Sequence, residues 1–193
     1  MRAFLSSEDV KRFVRLWKQS QLALLFNLGG VAAGAILASV SGLFSVAPWT
    51  AVLYPCILST KGLLNGLYCG KLSTGLHTGA YKPSLRKNTY EFYQLLSAVL
   101  TLTFLAGVVV GTVMLLLNPE EAEAIHVFPV MISTMLLVML VTIPLSTLVG
   151  AASFKHGLDP DVITYPVTST LTDFASTAVY AFVLTLYFYF QAV

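Results

Sequence analysis

The sequence predicts an all-α integral membrane protein with five transmembrane helices and a short N-terminal amphipathic helix. Of its 193 residues, 56% are hydrophobic and only 10% are charged, whereas a soluble domain carries about 25% charged residues. Five apolar segments each reach the roughly 20 residues that a spanning helix needs. Lys and Arg gather in alternate connections between these segments, which is typical of multi-pass proteins with basic cytoplasmic loops.

Prolines and polar loops delimit the five segments. The first ends before Pro48, and the third stops at Asn118-Pro119. The expected boundaries are about Gln21 to Val46, Trp49 to Leu72, Tyr90 to Leu117, Ile125 to Phe154 and Val162 to Phe190. The predicted organisation is therefore an N-terminal arm, residues 1–20, followed by one five-helix transmembrane domain, residues 21–193.

The basic residues predict how the chain is oriented in the cell membrane. Most of them lie in the N-terminal arm, in the loop after the second segment and just before the fifth, among them Lys11, Arg12, Arg15, Lys18, Lys82, Arg86, Lys87 and Lys155. The loops at 45–48 and 118–125 carry no Lys or Arg, and the second of these loops is acidic. Because basic loops stay in the cytoplasm, we expect the N-terminus inside and the C-terminus outside.

Apolar and basic residues alternate along the N-terminal arm. Phe13, Val14, Leu16 and Trp17 interrupt its run of lysines and arginines. This pattern fits an amphipathic helix that lies on the inner leaflet with Trp17 at the interface. It fits equally well a basic stop that only fixes orientation, so both interpretations stay open.

The second segment is the least regular, because proline, glycine and polar residues interrupt its apolar run. Pro55 removes one backbone donor, so a freed carbonyl needs another partner. Glycines at 62, 66 and 70 would form a smooth stripe that lets another helix approach closely. The same span also contains Lys61, Asn65 and Lys71. The alternatives are an interrupted helix that lines a substrate path and a helix that only packs.

One carboxylate lies inside the fifth segment. Asp173 is the only charged residue between Asp161 and the C-terminus. A charged side chain at this depth costs roughly 2.5–3.5 kcal/mol on insertion scales, and such residues usually face a water-filled path or a partner charge. Asp173 therefore either binds a cation or forms a buried ion pair with Lys61 or Lys71.

Two motifs resemble the signatures of a known family. The first is Pro55, then Lys61-Gly62 and Lys71-Leu-Ser-Thr74, with Gly79 downstream; the second is Gly157-Leu-Asp-Pro-Asp161 followed by Pro166-Val-Thr-Ser-Thr-Leu-Thr-Asp173. In this order, and in a five-span unit, they resemble the MgtE-type magnesium transporters and their animal solute-carrier relatives. One departure from the family pattern is Leu63, where the family commonly has asparagine.

The resemblance implies a dimer of five-helix units with the ion path along the two-fold axis. Because the chain holds one such unit, it implies a homodimer or a pairing with a sister chain. Carried over by position, Asp173 matches the fifth-helix aspartate that faces the pore and binds the hydrated cation. Some relatives have an acidic residue where this chain has Asn65, so the path here has fewer charges.

Oxygen-bearing side chains complete the predicted cation site. Mg²⁺ prefers octahedral oxygen coordination and usually keeps several waters, so carboxylates, hydroxyls and carbonyls can hold it through its water shell. The predicted metal-binding residues are Asp173, Thr172, Ser169, Thr168, Ser176 and Asn65. Asp159 and Asp161 either cap the fifth helix or attract cations at the cytoplasmic mouth.

The leading functional hypothesis is a channel or transporter for a divalent cation, with Mg²⁺ as the transported ion. A second hypothesis is a non-transporting membrane subunit that assembles with a sister chain. A membrane-embedded enzyme with Asp173 and His77 as acid and base is the weakest, since the sequence has no nucleophile or HExxH motif; we therefore predict no enzymatic activity. The net charge of +2 gives no indication of nucleic-acid binding.

Overall fold

The computed structural model describes residues 10, 11, 13, 14, 17, 28–117 and 123–191. Within residues 28–117 and 123–191 there are six helices and no strand. The helices are α1 Leu28–Ser39, α2 Ser41–Val46, α3 Pro48–His77, α4 Tyr90–Leu117, α5 Ala124–Lys155 and α6 Pro160–Gln191. The predicted all-helical fold class is confirmed for this part of the chain.

Three of these helices are long and apolar enough to cross a membrane. They are α4, α5 and the part of α6 from Ile163 to Gln191. Helix α3 has 30 residues but is less apolar, since it carries two lysines and an asparagine. Helix α1 is apolar but short. The count of five spans and the orientation therefore remain predictions.

The N-terminal arm, predicted over residues 1–20, lies mostly outside the described residues, as does the start of the first segment up to residue 27. Five arm residues are described, and all are helical and exposed: Val10, Lys11, Phe13, Val14 and Trp17. The rings of Phe13 and Trp17 stack with centroids 6.3 Å apart. This spacing of four residues places both aromatic rings on one face of a helix.

The first predicted segment is not one continuous helix, which corrects the sequence-based expectation. The helix stops at Ser39 and restarts at Ser41. The hydroxyls of Ser39 and Ser41 donate to the carbonyls of Ile36 and Ala38, at 2.6 and 2.8 Å. Serine side chains that bond backbone carbonyls in this way compete with the helical ladder, which accounts for a break at this point.

The second segment is also corrected, because α3 continues through Pro55 and extends beyond Leu72 to His77. Proline removes only one helical hydrogen bond, and neighbouring helices can support the backbone around it. Tyr54 and Tyr180 pack together, with ring centroids 5.6 Å apart. The Tyr54 hydroxyl lies 2.8 Å from Thr177 Oγ1, and the Tyr180 hydroxyl donates to the Thr50 carbonyl. These contacts from α6 hold the turn of α3 that precedes the proline.

Helix α6 packs against α1, α3 and α5. The core between the helices is formed by buried aliphatic and aromatic side chains together with three methionines one helical turn apart on α5, namely Met131, Met135 and Met139. Tyr68 of α3 is fully buried and its hydroxyl lies 2.5 Å from Thr147 Oγ1 of α5. Helices α3, α5 and α6 therefore form one packed unit that fixes the side chains between them.

The loop between α3 and α4 has a defined conformation that depends on Asn88. Its side-chain oxygen accepts from the Lys82 backbone N–H at 2.8 Å, and its amide donates to the carbonyls of Lys82 and Ser84. The Tyr81 backbone N–H donates to the Gly75 carbonyl at 2.9 Å. The Tyr81 ring then lies directly over Gly75, where only glycine leaves room.

Candidate functional site

An open groove of about 670 Å³ runs between α3 and α6. It contains the one charged residue in the middle of α6, Asp173, whose side chain is 40% exposed. The residues that line it are Leu58, Ser59, Gly62, Leu63, Gly66, Leu67, Tyr165, Ser169 and Asp173. A carboxylate thus faces an accessible cleft between two long helices.

Two glycines of α3 let this helix approach α6 closely at the groove. A Cβ atom at Gly66 would lie 3.4 Å from Tyr165 Cε2, and one at Gly62 would lie 3.9 Å from the Tyr165 hydroxyl. The Tyr165 ring therefore lies along the glycine stripe and forms a wall of the groove. Part of the stripe predicted from the sequence is occupied by this tyrosine, and Gly70 has open space beside it.

Asp173 forms an ion pair with Lys61 across the α3–α6 interface. The lysine side chain is completely buried, and its ammonium contacts Asp173 Oδ1. Lys61 Nζ also donates to the Ser169 carbonyl at 3.4 Å. Of the two lysines considered from the sequence, Lys61 is the partner of Asp173, whereas Lys71 is exposed. The second carboxylate oxygen, Oδ2, has no hydrogen bond to any described residue.

The predicted ligands on α6 separate onto two faces. Ser169 and Asp173 lie one turn apart on the groove face. Thr168, Thr172 and Ser176 are buried, and their hydroxyls donate to α6 carbonyls three or four residues earlier. The structure therefore brings Asp173 and Ser169 together at the groove and places the three other hydroxyls behind them.

Asn65 is a fully buried hydrogen-bond centre between α3, α5 and α6. Its Oδ1 accepts from Ser146 Oγ at 2.8 Å and from Cys69 Sγ at 3.5 Å. Its Nδ2 donates to Thr168 Oγ1 at 3.4 Å. Asn65 lies one helical turn after Lys61, so this network supports the helix face that carries the lysine. Asn65 itself is not among the residues that line the groove.

Sequence reasoning missed Tyr165 and Ser146 as parts of this arrangement. Tyr165, Ser169 and Asp173 are spaced by four residues, which puts them on one helical face, so the spacing could have identified Tyr165. Ser146 belongs to the fourth predicted segment, and nothing local in the sequence indicates that it reaches Asn65.

Two other predicted features lie away from the groove. Asp159 immediately precedes α6, in the N-cap position, and its carboxylate lies 3.8 Å from His77 Nε2. Asp159 and His77 are both exposed, and His77 is not near Asp173 in the groove. The side chain of Asp161 lies outside the described part of the structure.

The polar side-chain atoms at the groove are the oxygens of a carboxylate and of hydroxyls. Such oxygens suit hard cations such as Mg²⁺, Mn²⁺ and Ca²⁺. Within the described ranges, no group of three or more His, Cys, Asp or Glu side chains is placed to hold a metal ion. One chain therefore contributes one carboxylate to a groove with few other charges.

Comparison with known proteins agrees with this chemistry. The family model of the divalent cation transporter MgtE matches residues 54–183, a range that includes α4, α5 and most of α3 and α6. No curated protein matches the chain. The matched range covers the groove, the Lys61–Asp173 pair and the buried Asn65 network. The chain belongs to the MgtE family of divalent cation transporters.

Proposed function

We propose that this protein transports Mg²⁺ across the cell membrane along the groove that contains Asp173. The observation that carries this proposal is a half-exposed carboxylate in the middle of the longest apolar part of α6. A charge at membrane depth is costly unless it serves a polar path or a partner. The groove gives Asp173 access to water, and Ser169 adds oxygen atoms beside it.

Mg²⁺ is the proposed ion because the groove offers few direct ligands. Mg²⁺ loses its waters reluctantly and is usually bound by one or two carboxylates with several waters retained. A single aspartate on each chain with neighbouring neutral oxygens fits an ion that keeps its hydration shell. The buried hydroxyls of Thr168, Thr172 and Ser176 then act by shaping α6 rather than by contacting the ion.

A second copy of the chain is the proposed cover of the groove. In one protomer, the groove is open and its wall includes Leu63, which is 72% exposed. A carboxylate that faced lipid through this opening would be unfavourable. In a homodimer with grooves facing each other, two Asp173 carboxylates would share one path and would match the charge of a divalent ion.

Reconstitution tests the transport proposal directly. The purified protein in liposomes loaded with a magnesium-sensitive dye is expected to admit Mg²⁺ faster than protein-free liposomes do. Mn²⁺, Co²⁺ and Ca²⁺ added in parallel would rank the ions that the groove accepts. A non-transporting subunit would give no flux until a sister chain is added, and that result would contradict the proposal.

Cysteine cross-linking tests the dimer. Leu63→Cys is expected to form a disulfide-linked dimer under mild oxidation, because the residue lies at the opening of the groove. Val109→Cys on α4 is the matched control: Val109 is also well exposed, at 61%, but lies outside the groove. Equal cross-linking of both variants would argue against the groove as the interface. The same holds if the unmodified chain cross-links equally through Cys56 and Cys69.

A further inference from the structure

We propose that Lys61 is a built-in competitor of the transported cation, and that a cation binds only when it displaces the lysine from Asp173. This inference rests on the proposed function of Asp173 as the cation ligand. It assigns to Lys61 the role of setting the affinity of the site. The alternative is that the ion pair only joins α3 to α6.

The lysine ammonium contacts the oxygen atoms that a cation would use. Lys61 Nζ contacts Asp173 Oδ1 and the Ser169 carbonyl. These are a carboxylate oxygen and a backbone carbonyl oxygen of α6, both of the type that hard cations select. The ammonium and a divalent cation cannot share these oxygens at close range, because two positive charges repel each other.

The two partners of the ion pair differ in their exposure. Lys61 is fully buried, whereas Asp173 is 40% exposed to the groove. A cation that enters the groove therefore meets the carboxylate from the side opposite the lysine stem. Oδ2 has no hydrogen bond to a described residue, so it is available for first contact with the ion or with one of its waters.

The charge of Lys61 can leave Asp173 while helix α3 stays in place. The lysine charge sits at the end of a flexible four-carbon stem, so the ammonium can withdraw without movement of the α3 backbone. Among the described residues, Asp173 is the only carboxylate within 4.0 Å of Nζ. The lysine therefore returns to Asp173 once the cation leaves, which restores the ion pair.

The exposure of Asp173 also distinguishes competition from a purely structural ion pair. Removal of one partner from a buried pair is strongly destabilising when the other charge is left without water. Here, the carboxylate can be hydrated from the groove when the lysine is removed. The loss of Lys61 should therefore leave a folded protein with an unoccupied anionic site.

The test compares cation affinity in Lys61→Met with that in the unmodified protein. Methionine keeps the apolar stem but has no charge. The readout is the midpoint of thermal unfolding of the purified protein in detergent as a function of added Mg²⁺ or Mn²⁺. If the lysine holds the site for nine-tenths of the time or more, its removal should lower the apparent Kd about 10-fold or more.

Two further variants make the result specific. Lys71→Met removes an exposed lysine from the same helix and should leave the Kd unchanged. Lys61→Gln is a second neutral replacement, to be used if methionine impairs folding, and should also tighten binding. The inference is overturned if both Lys61 variants have a Kd within twofold of the unmodified value. It is also overturned if both bind the cation more weakly.

The same titration separates this inference from the proposed function. If Asp173→Asn binds Mg²⁺ with the same Kd as the unmodified protein, Asp173 is not the ligand. The proposed function then fails together with the inference. Should Asp173→Asn lose binding while both Lys61 variants keep the unmodified Kd, the cation site stands and only the role of Lys61 is wrong.

Discussion

Replacement of Asp173 by asparagine is expected to reduce Mg²⁺ flux into liposomes by at least about 100-fold. A divalent ion and a carboxylate about 4 Å apart interact by roughly 8 kcal/mol at an effective dielectric constant of 20. The loss of only a third of this energy corresponds to a factor of about 100 in affinity. Asparagine has nearly the same shape as aspartate, so the groove itself should persist.

A complication is that Asp173→Asn leaves the Lys61 ammonium buried without its counter-ion. An unpaired buried charge typically costs about 3–5 kcal/mol of stability, so the single variant could lose flux by unfolding. The double variant Asp173→Asn with Lys61→Met removes both charges and should recover much of the thermal stability. Recovery of stability without recovery of flux would assign the loss to the ion site. Near-normal flux in the folded double variant would show that Asp173 has no part in transport.

Replacement of Gly75 by alanine is expected to destabilise the protein through a steric clash. An added Cβ would lie 2.0 Å from Tyr81 Cδ2 and 2.2 Å from Tyr81 Cε2, far inside van der Waals contact. The ring cannot simply turn away, because the Tyr81 backbone is hydrogen-bonded to Gly75 and the ring packs against Phe92 at 5.7 Å. Overpacking of this kind costs about 1–3 kcal/mol.

Thermal unfolding in detergent would measure this effect. Gly34→Ala provides the control, because Gly34 lies inside α1 with nothing within 4 Å of an added Cβ. Alanine should be neutral there, or stabilising by up to about 1 kcal/mol through its higher helix propensity. Equal melting temperatures for Gly75→Ala and Gly34→Ala would mean that the loop containing Tyr81 is not packed on α3 as described.

The first and last residues of the later helices were predictable because polar residues flank their apolar runs. Helix α4 begins and ends at the predicted residues, Tyr90 and Leu117. The break at Val40 was not predictable from hydrophobicity, since the flanking serines alter backbone hydrogen bonding without ending the apolar run. The continuity of α3 through Pro55 was missed for a related reason: the supporting contacts come from Tyr180, which is 125 positions away in the sequence.

The candidate site was only partly predictable. Asp173 stands out in any hydrophobicity pattern, and its pairing with a lysine was one of the alternatives. Lys61 and Lys71 lie ten residues apart, which is about 15 Å along a helix, so the depth of α3 relative to α6 decides which of them reaches Asp173. That depth depends on packing between helices and cannot be read from either segment alone. For the same reason, the sequence did not separate Ser169 from the buried hydroxyls on α6.

The position of a bound cation tests the central claim most directly. Mn²⁺ can replace Mg²⁺ as a hard, oxygen-preferring ion, and its anomalous X-ray scattering locates it in a crystal. We predict one anomalous peak in the groove, in direct or water-bridged contact with Asp173, with the Lys61 ammonium withdrawn from Oδ1. The contradicting result is a peak elsewhere while the Lys61–Asp173 pair stays intact, at Mn²⁺ concentrations that support flux. That result would exclude a cation site at Asp173.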